Sequence, residues 1–301
     1  MGLSGRSIGW CLVRLSAVLC LFSYVVACAS SVSSKDSPEA DLSTVRLSPK
    51  LAAAVPSAWW QPTAAEHLRW YWQLQDPIDL SHDVDVYNID INTPQQTIDR
   101  LKARGVKLIC YFSVGTVEDF RDDASLFPQH VTGARHSGYS DERWLDISRY
   151  QSFAVIMQAR LDLCSAKGFD GVEGDNVDAF NQPDGTGFGI TQQHSVEYIL
   201  WLAHQSHQRG LGFGLKNAES VAESVLATVD WMITENCFVD DWCSDASSFI
   251  AANKPVFMTE YIEELQEPEF KVACEQARLS GYSAILRDTG LTANGVFKEC
   301  L

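Results

Sequence analysis

From Trp59 onward the chain alternates between short apolar or β-branched runs and longer stretches with helix-like amphipathic spacing. Eight runs read as strands: Trp70–Leu74, Val84–Ile91, Lys107–Ser113, Phe169–Asp175, Leu211–Leu215, Trp231–Glu235, Val256–Tyr261 and Ser283–Arg287. The stretches Thr93–Arg104, Tyr150–Lys167, Thr191–Arg209, Ser220–Thr228, Ala246–Asn253 and Glu267–Ser280 read as helices. Three of them close on a basic residue followed by glycine (Arg104-Gly105, Lys167-Gly168, Arg209-Gly210), as helix C-termini do. Strands alternating with helices imply a parallel sheet, and eight repeats over about 240 residues suit a closed α/β barrel of the (β/α)8 or TIM type. An open doubly wound sheet is the competing arrangement. No glycine-rich dinucleotide fingerprint follows any strand, and Gly210-Leu211-Gly212-Phe213-Gly214 is only a glycine-dense start to the fifth strand. Residues 116–149, with Pro128, Gly133 and Gly138, are expected to form an elaborated loop over the cleft.

The pattern changes before Trp59. Arg6 and Arg14 precede an apolar run from Leu15 to Ala27, which is short for a membrane span and laid out like a secretory signal. The run ends Val25-Val26-Ala27-Cys28, resembling a bacterial lipobox in which Cys28 would be lipidated. Ordinary signal-peptidase cleavage near Ala29 is the competing reading. The expected organisation is a lipoprotein-type signal peptide at 1–27, a Ser- and Pro-containing flexible linker at 28–57 and one barrel domain at 58–301. This predicts export to a bacterial cell envelope, at the outer membrane or surface, through a lipid anchor on Cys28, or otherwise plain secretion.

Composition sharpens the picture. The chain has 301 residues, 46% of them apolar, enough for one sizeable core. A net charge of −16 disfavours a phosphate backbone as partner, so no nucleic acid is expected. Neutral or cationic ligands fit better. Removal of the signal takes Cys11 and Cys20 with it, leaving Cys28 and an even set of six: Cys110, Cys164, Cys237, Cys243, Cys274 and Cys300. In an exported chain that set suggests disulfides. Cys237 and Cys243 lie close together, and Cys274 with Cys300 would staple the C-terminal tail. Cys110 sits in an apolar strand and fits a buried thiol equally well. No CxxC pair or ligand spacing among His67, His82, His130 and His136 suggests a metal, so no cofactor is expected. With no repeat or heptad, a monomer is the default.

In such barrels catalysis belongs to the C-terminal ends of the strands. Those ends are polar and acidic here. Asp90 closes the second strand; Glu173, Asp175 and Asn176 close the fourth; Lys216 and Asn217 follow the fifth. Glu235 and Asn236 end the sixth, Glu260 and Tyr261 the seventh, and Asp288 follows the eighth. Like charges packed on one rim are costly, so a functional reason outweighs a structural one. Paired carboxylates without a Ser/His arrangement point to glycoside hydrolysis, one carboxyl protonated and the other ionised. Trp72, Tyr111, Phe112, Trp144, Phe238, Trp242 and Tyr261 could stack on sugar rings, although core packing accounts for any single one.

These residues carry a resemblance. Trp72-Gln73-Leu74-Gln75, Cys110-Tyr111-Phe112-Ser113-Val114-Gly115, Trp144-Leu145-Asp146-Ile147, the block from Gly168 to Asp178, Gly214-Leu215-Lys216-Asn217 and Glu235-Asn236-Cys237-Phe238 resemble, in order, glycoside hydrolase family 114. That family comprises endo-α-1,4-polygalactosaminidases with a TIM-barrel catalytic domain. The resemblance implies Asp175 as nucleophile, Glu235 as general acid/base and a retaining mechanism. It also implies sugar subsites lined by Asp90, Asp146, Lys216, Asn217 and Glu260. Glu173 shares a strand face with Asp175 and is as consistent with a structural role inside the barrel as with substrate binding. The chain departs from the family pattern at Gly174, where a proline is common. Partly deacetylated galactosamine polymer carries free amines, which agrees with the acidic charge. The alternatives are a hydrolase of another α-linked glycan, a non-catalytic carbohydrate-binding lipoprotein and an envelope scaffold.

Overall fold

The computed structural model describes residues 58–300 apart from 183 and 184; the expected signal peptide, Cys28 and the linker lie outside them. The chain runs through β1 (Trp70–Gln73), β2 (Val86–Asp90), α1 (Gln95–Ala103) and β3 (Lys107–Ser113). Next come β4 (Thr116–Glu118), β5 (Thr132–Arg135), β6 (Glu142–Leu145), α2 (Ala154–Lys167), β7 (Gly171–Asp175) and α3 (Gln192–His207). The remainder comprises β8 (Gly212–Lys216), α4 (Ala222–Val225), β9 (Trp231–Glu235), α5 (Ser247–Ala251), β10 (Val256–Tyr261), α6 (Glu267–Ser280), β11 (Ser283–Arg287) and β12 (Phe297–Glu299). Eight strands, β1, β2, β3 and β7 to β11, lie side by side in chain order and pair in parallel. The sheet curls into a TIM-type barrel with the helices outside. All eight expected strands are these eight, several to the residue.

Among the described residues no backbone ladder joins β11 to β1. Trp70 Nε1 instead donates to the Ser283 carbonyl (2.8 Å), and Leu74 N to the Leu291 carbonyl (3.1 Å). The antiparallel β12, which the sequence pattern did not suggest, pairs with β11, and its Phe297 packs edge-on against Tyr71.

Alternation along each strand builds two cores. Trp70, Trp72, Val86, Ile109, Trp231, Ile233, Phe257 and Ile285 form one cluster, which fills the barrel. Their neighbours Tyr71, Tyr87, Leu108, Cys110, Val172, Phe213, Met232, Met258 and Leu286 join Ile98, Leu161, Tyr198 and Phe270 of the helices in the other. The glycine-dense start of β8 has its reason here. A Cβ on Gly214 would stand 2.0 Å from Trp231 Nε1 and one on Gly212 2.7 Å from the same ring, so only glycine leaves room for that indole.

Among the described residues three disulfides, Cys110–Cys164, Cys237–Cys243 and Cys274–Cys300, use all six cysteines. Cys110 is therefore not a free thiol: its position on β3 faces α2, where Cys164 waits. Among the described residues no helix is long and apolar enough to cross a membrane.

Candidate active site

The same alternation decides which polar strand-end residues meet. Tyr111 follows Ile109 by two, Asp175 follows Glu173, Lys216 follows Gly214, Glu235 follows Ile233 and Tyr261 follows Thr259, so each continues an inward row. Together with Trp72 and Asp90 they line a cavity of about 490 Å³ at the strands' C-terminal ends.

Lys216 Nζ sits at the centre. It lies 3.0 Å from Asp175 Oδ1, 2.9 Å from Glu235 Oε2 and 3.4 Å from Glu173 Oε1, with the Trp72 ring 4.9 Å away. Burial opposes its charge, but Asp175, Glu235 and Glu173 outweigh burial and push its pKa well above the ordinary lysine value. Burial would likewise raise Asp175. Lys216, through its charge and hydrogen bond, and the Tyr111 hydroxyl, donating to Oδ2 at 2.9 Å, overcome it and hold this carboxyl below its usual range. Tyr111 is pushed well above its ordinary value by burial and then by Asp175, so it keeps the proton it donates.

Glu235 is held from three sides. Asn217 Nδ2 donates to Oε2 at 3.0 Å, and Asn217 Oδ1 accepts the Glu235 backbone N–H at 2.9 Å. The Tyr261 hydroxyl donates to Oε1. Asn176, Asn217 and Asn236, each directly after a strand-end charged residue, have φ of 63°, 46° and 51°. Asparagine tolerates this left-handed region, which turns the chain sharply away and leaves the preceding side chain pointing into the cavity.

Glu173 lies one layer below, fully buried, accepting from Asn88 Nδ2. Burial pushes its pKa up to about 8, with Asp175 adding to the effect and Lys216 restraining it. It does not line the cavity.

Other expected subsite residues are placed elsewhere. Glu260 sits between the inward Thr259 and Tyr261 on β10, so it faces outward. There it accepts from the Phe238 and Val239 backbone N–H groups at 2.9 and 3.3 Å. Asp146 follows β6, outside the barrel, and its side chain faces Arg149 at 3.5 Å. Asn176 and Asn217 do not line the cavity either: the first donates to Ser113 Oγ (2.9 Å) and the second serves Glu235. Asp90 lines the cavity but is paired with Arg121 at 2.8 Å. Cys237, Cys243 and Glu260 have ligand atoms within 4.8 Å of one another, yet the disulfide occupies both thiols and Glu260 is committed to the loop.

One wall was invisible to strand-end reasoning. Within residues 116–149, expected as an elaborated loop over the cleft, 116–145 form an antiparallel sheet ordered β4-β6-β5. It brings Glu118, Phe120, Tyr139, Asp141 and Glu142 to the cavity. Buried Arg121 ties Glu118 to Asp90, and buried Arg160 grips Asp123 (2.7 Å) and the Ser113 carbonyl (2.8 Å), docking this flap on the barrel.

The sequence model of glycoside-hydrolase family GH114 matches residues 49–301. The chain belongs to that family. No curated protein matched it by sequence. The structure of Ega3 from Aspergillus fumigatus, in complex with galactosamine, is 30% identical, has a TM-score of 0.75 and covers 81% of this chain and 100% of its own. The glycoside hydrolase domain of PelA from Pseudomonas aeruginosa, 15% identical with a TM-score of 0.59, covers 76% and 96% and bears on the fold alone. This family-114 chain is thus a glycoside hydrolase on a TIM-type barrel, and its cavity lies where such barrels place their chemistry.

Proposed function

We propose that the protein is an endo-acting hydrolase of α-1,4-linked galactosamine polymer, free or partly N-acetylated, with Asp175 as nucleophile and Glu235 as general acid/base. The observation that carries this is the shared ammonium. Lys216 Nζ lies 3.0 Å from Asp175 Oδ1 and 2.9 Å from Glu235 Oε2, so those oxygens can be at most the sum, 5.9 Å, apart. Retaining glycosidases hold their carboxyls about 5–5.5 Å apart, inverting ones about 6.5–9.5 Å. The spacing favours retention.

In that mechanism Asp175, kept ionised by Lys216 and Tyr111, attacks the anomeric carbon. Protonated Glu235 gives its proton to the departing glycosidic oxygen as the C–O bond breaks. Glu235 then takes a proton from water, which displaces Asp175 and restores the α configuration. Asn217 and Tyr261 hold Glu235 in place for both steps. The amino-sugar assignment draws on the acidic cavity, on family membership and on the galactosamine bound to Ega3. On the sequence pattern around Cys28 we also propose export as a lipid-anchored, monomeric envelope enzyme.

The test is the purified protein on α-1,4-galactosamine polymer, followed by product sizing and proton NMR of the first-formed reducing ends. Short oligosaccharides with α anomers appearing first are expected. Intact polymer beside cleavage of another α-glycan would overturn the substrate, and β anomers first would overturn retention.

A further inference from the structure

The carboxylates that line the cavity are not equivalent once their counter-ions are assigned. Asp175 and Glu235 share Lys216, while Asp90 and Glu118 share Arg121. Among the described residues, Asp76, Asp141 and Glu142 have no cationic side chain within 4.0 Å. Asp76 and Asp141 are exposed, so water compensates them. Glu142 is not: it is 8% exposed, at the start of β6, and still lines the cavity. Its Oε2 accepts from the Thr116 hydroxyl at 2.6 Å, whose oxygen meets Ser113 Oγ at 2.5 Å, whereas no described side chain or backbone group bonds its Oε1. Burial, with help from Glu118 and Asp175, pushes its pKa up to about 7, the behaviour of an acid that lacks its cation.

Two exposed aromatics share its cavity. Phe120 and Tyr139, 59% and 55% exposed, line the same cavity from the flap. Large aromatics left in water beside an unpaired carboxylate suit a sugar ring whose apolar face stacks and whose amine points down.

We propose that the flap forms a subsite for a protonated 2-amino sugar, in which Glu142 Oε1 receives the ammonium and Tyr139 and Phe120 hold the ring. This rests on the amino-sugar reading above and adds where the free amine is recognised: away from the reacting carboxylates, whose charge Lys216 already balances. Acetylation removes the cation and should be sensed at this subsite.

The test is binding to the full-length Asp175→Asn protein, which leaves oligomers uncut, with and without Glu142→Gln. Glutamine keeps an oxygen for the Thr116 hydroxyl, so the flap's anchorage survives. Deacetylated α-1,4-galactosamine oligomer should bind roughly tenfold or more weakly after Glu142→Gln, the weight of one charge-assisted hydrogen bond. Its N-acetylated counterpart should change less than about twofold, and Tyr139→Ala should weaken both alike. Equal losses for the two oligomers, or no loss for either, would overturn the subsite. If the Asp175→Asn protein bound neither oligomer, the substrate reading would fail first and take the subsite with it.

Discussion

Lys216 controls the charge state of the site. Without its ammonium, Glu173, Asp175 and Glu235 would converge with no cation among them. Lys216→Met should lower kcat/KM on the order of a hundredfold or more, since preorganised charge is commonly the largest catalytic contribution. It should also move the acid limb of the pH–rate profile upward. In the proposed mechanism Asp175 is ionised when it attacks, and loss of the cation that lowers its pKa lets it protonate at higher pH. An acid limb that stayed in place would contradict this role. Glu173 makes the opposite prediction. Its folded pKa, about 8, lies above the ordinary carboxylate value, so the folded state keeps a proton that the unfolded chain has lost. That contribution is fully favourable below about pH 4.5 and is lost as pH rises towards 8. Glu173→Gln cannot ionise. Its stability relative to wild type, measured by urea unfolding at pH 5 and pH 8, should rise with pH; a constant difference would rule out a neutral Glu173. At this scale the sequence was legible where a residue ended a strand facing inward, as with Asp175, Lys216 and Glu235. It misled at Glu260, because Glu260 and Tyr261 are adjacent and a strand turns only one of two neighbours inward.

Turns set the elements against one another. The Val114 and Gly115 N–H groups both donate to the Asp175 carbonyl, at 3.0 and 3.1 Å, which brings the turn after β3 onto the end of β7. A Cβ on Gly115 would fall 1.7 Å from the Asn176 carbonyl oxygen. Gly115→Ala should therefore cost about 1–3 kcal/mol or more, as overpacking does, and should lower kcat by displacing Asp175. Thermal unfolding together with kcat checks it, and wild-type values of both would show that the backbones need not approach so closely. The eight strands and their helices were legible because period-2 and helical spacing survive in single sequences. The flap was not. Its strands β4, β5 and β6 have three or four residues each, too few for periodicity, and the groups it brings to the cavity, Glu142 and Tyr139, follow no barrel strand. The disulfide between Cys110 and Cys164 was hidden for a similar reason: it joins a strand to the helix covering it, across 54 residues with no local pattern to mark the pair.

For the whole molecule, the acidic balance of the sequence becomes a localised field. Among the described residues seven carboxylates line the cavity, and Lys216 is the one lysine or arginine there. Such a cleft concentrates a polycationic chain and gives binding that weakens with ionic strength. The charge count favoured a neutral or cationic ligand over an anionic one, but only the fold indicates that the charge gathers where the strands end. The most direct measurement is the release of reducing ends from α-1,4-galactosamine polymer by wild type, Asp175→Asn and Glu235→Gln side by side, each shown to be folded. The account predicts short oligosaccharides from wild type and a loss of at least about a thousandfold in both variants, as expected when one of a cooperating catalytic pair is removed. Undiminished cleavage by either variant would contradict it, because the bond would then be broken by some pair other than Asp175 and Glu235.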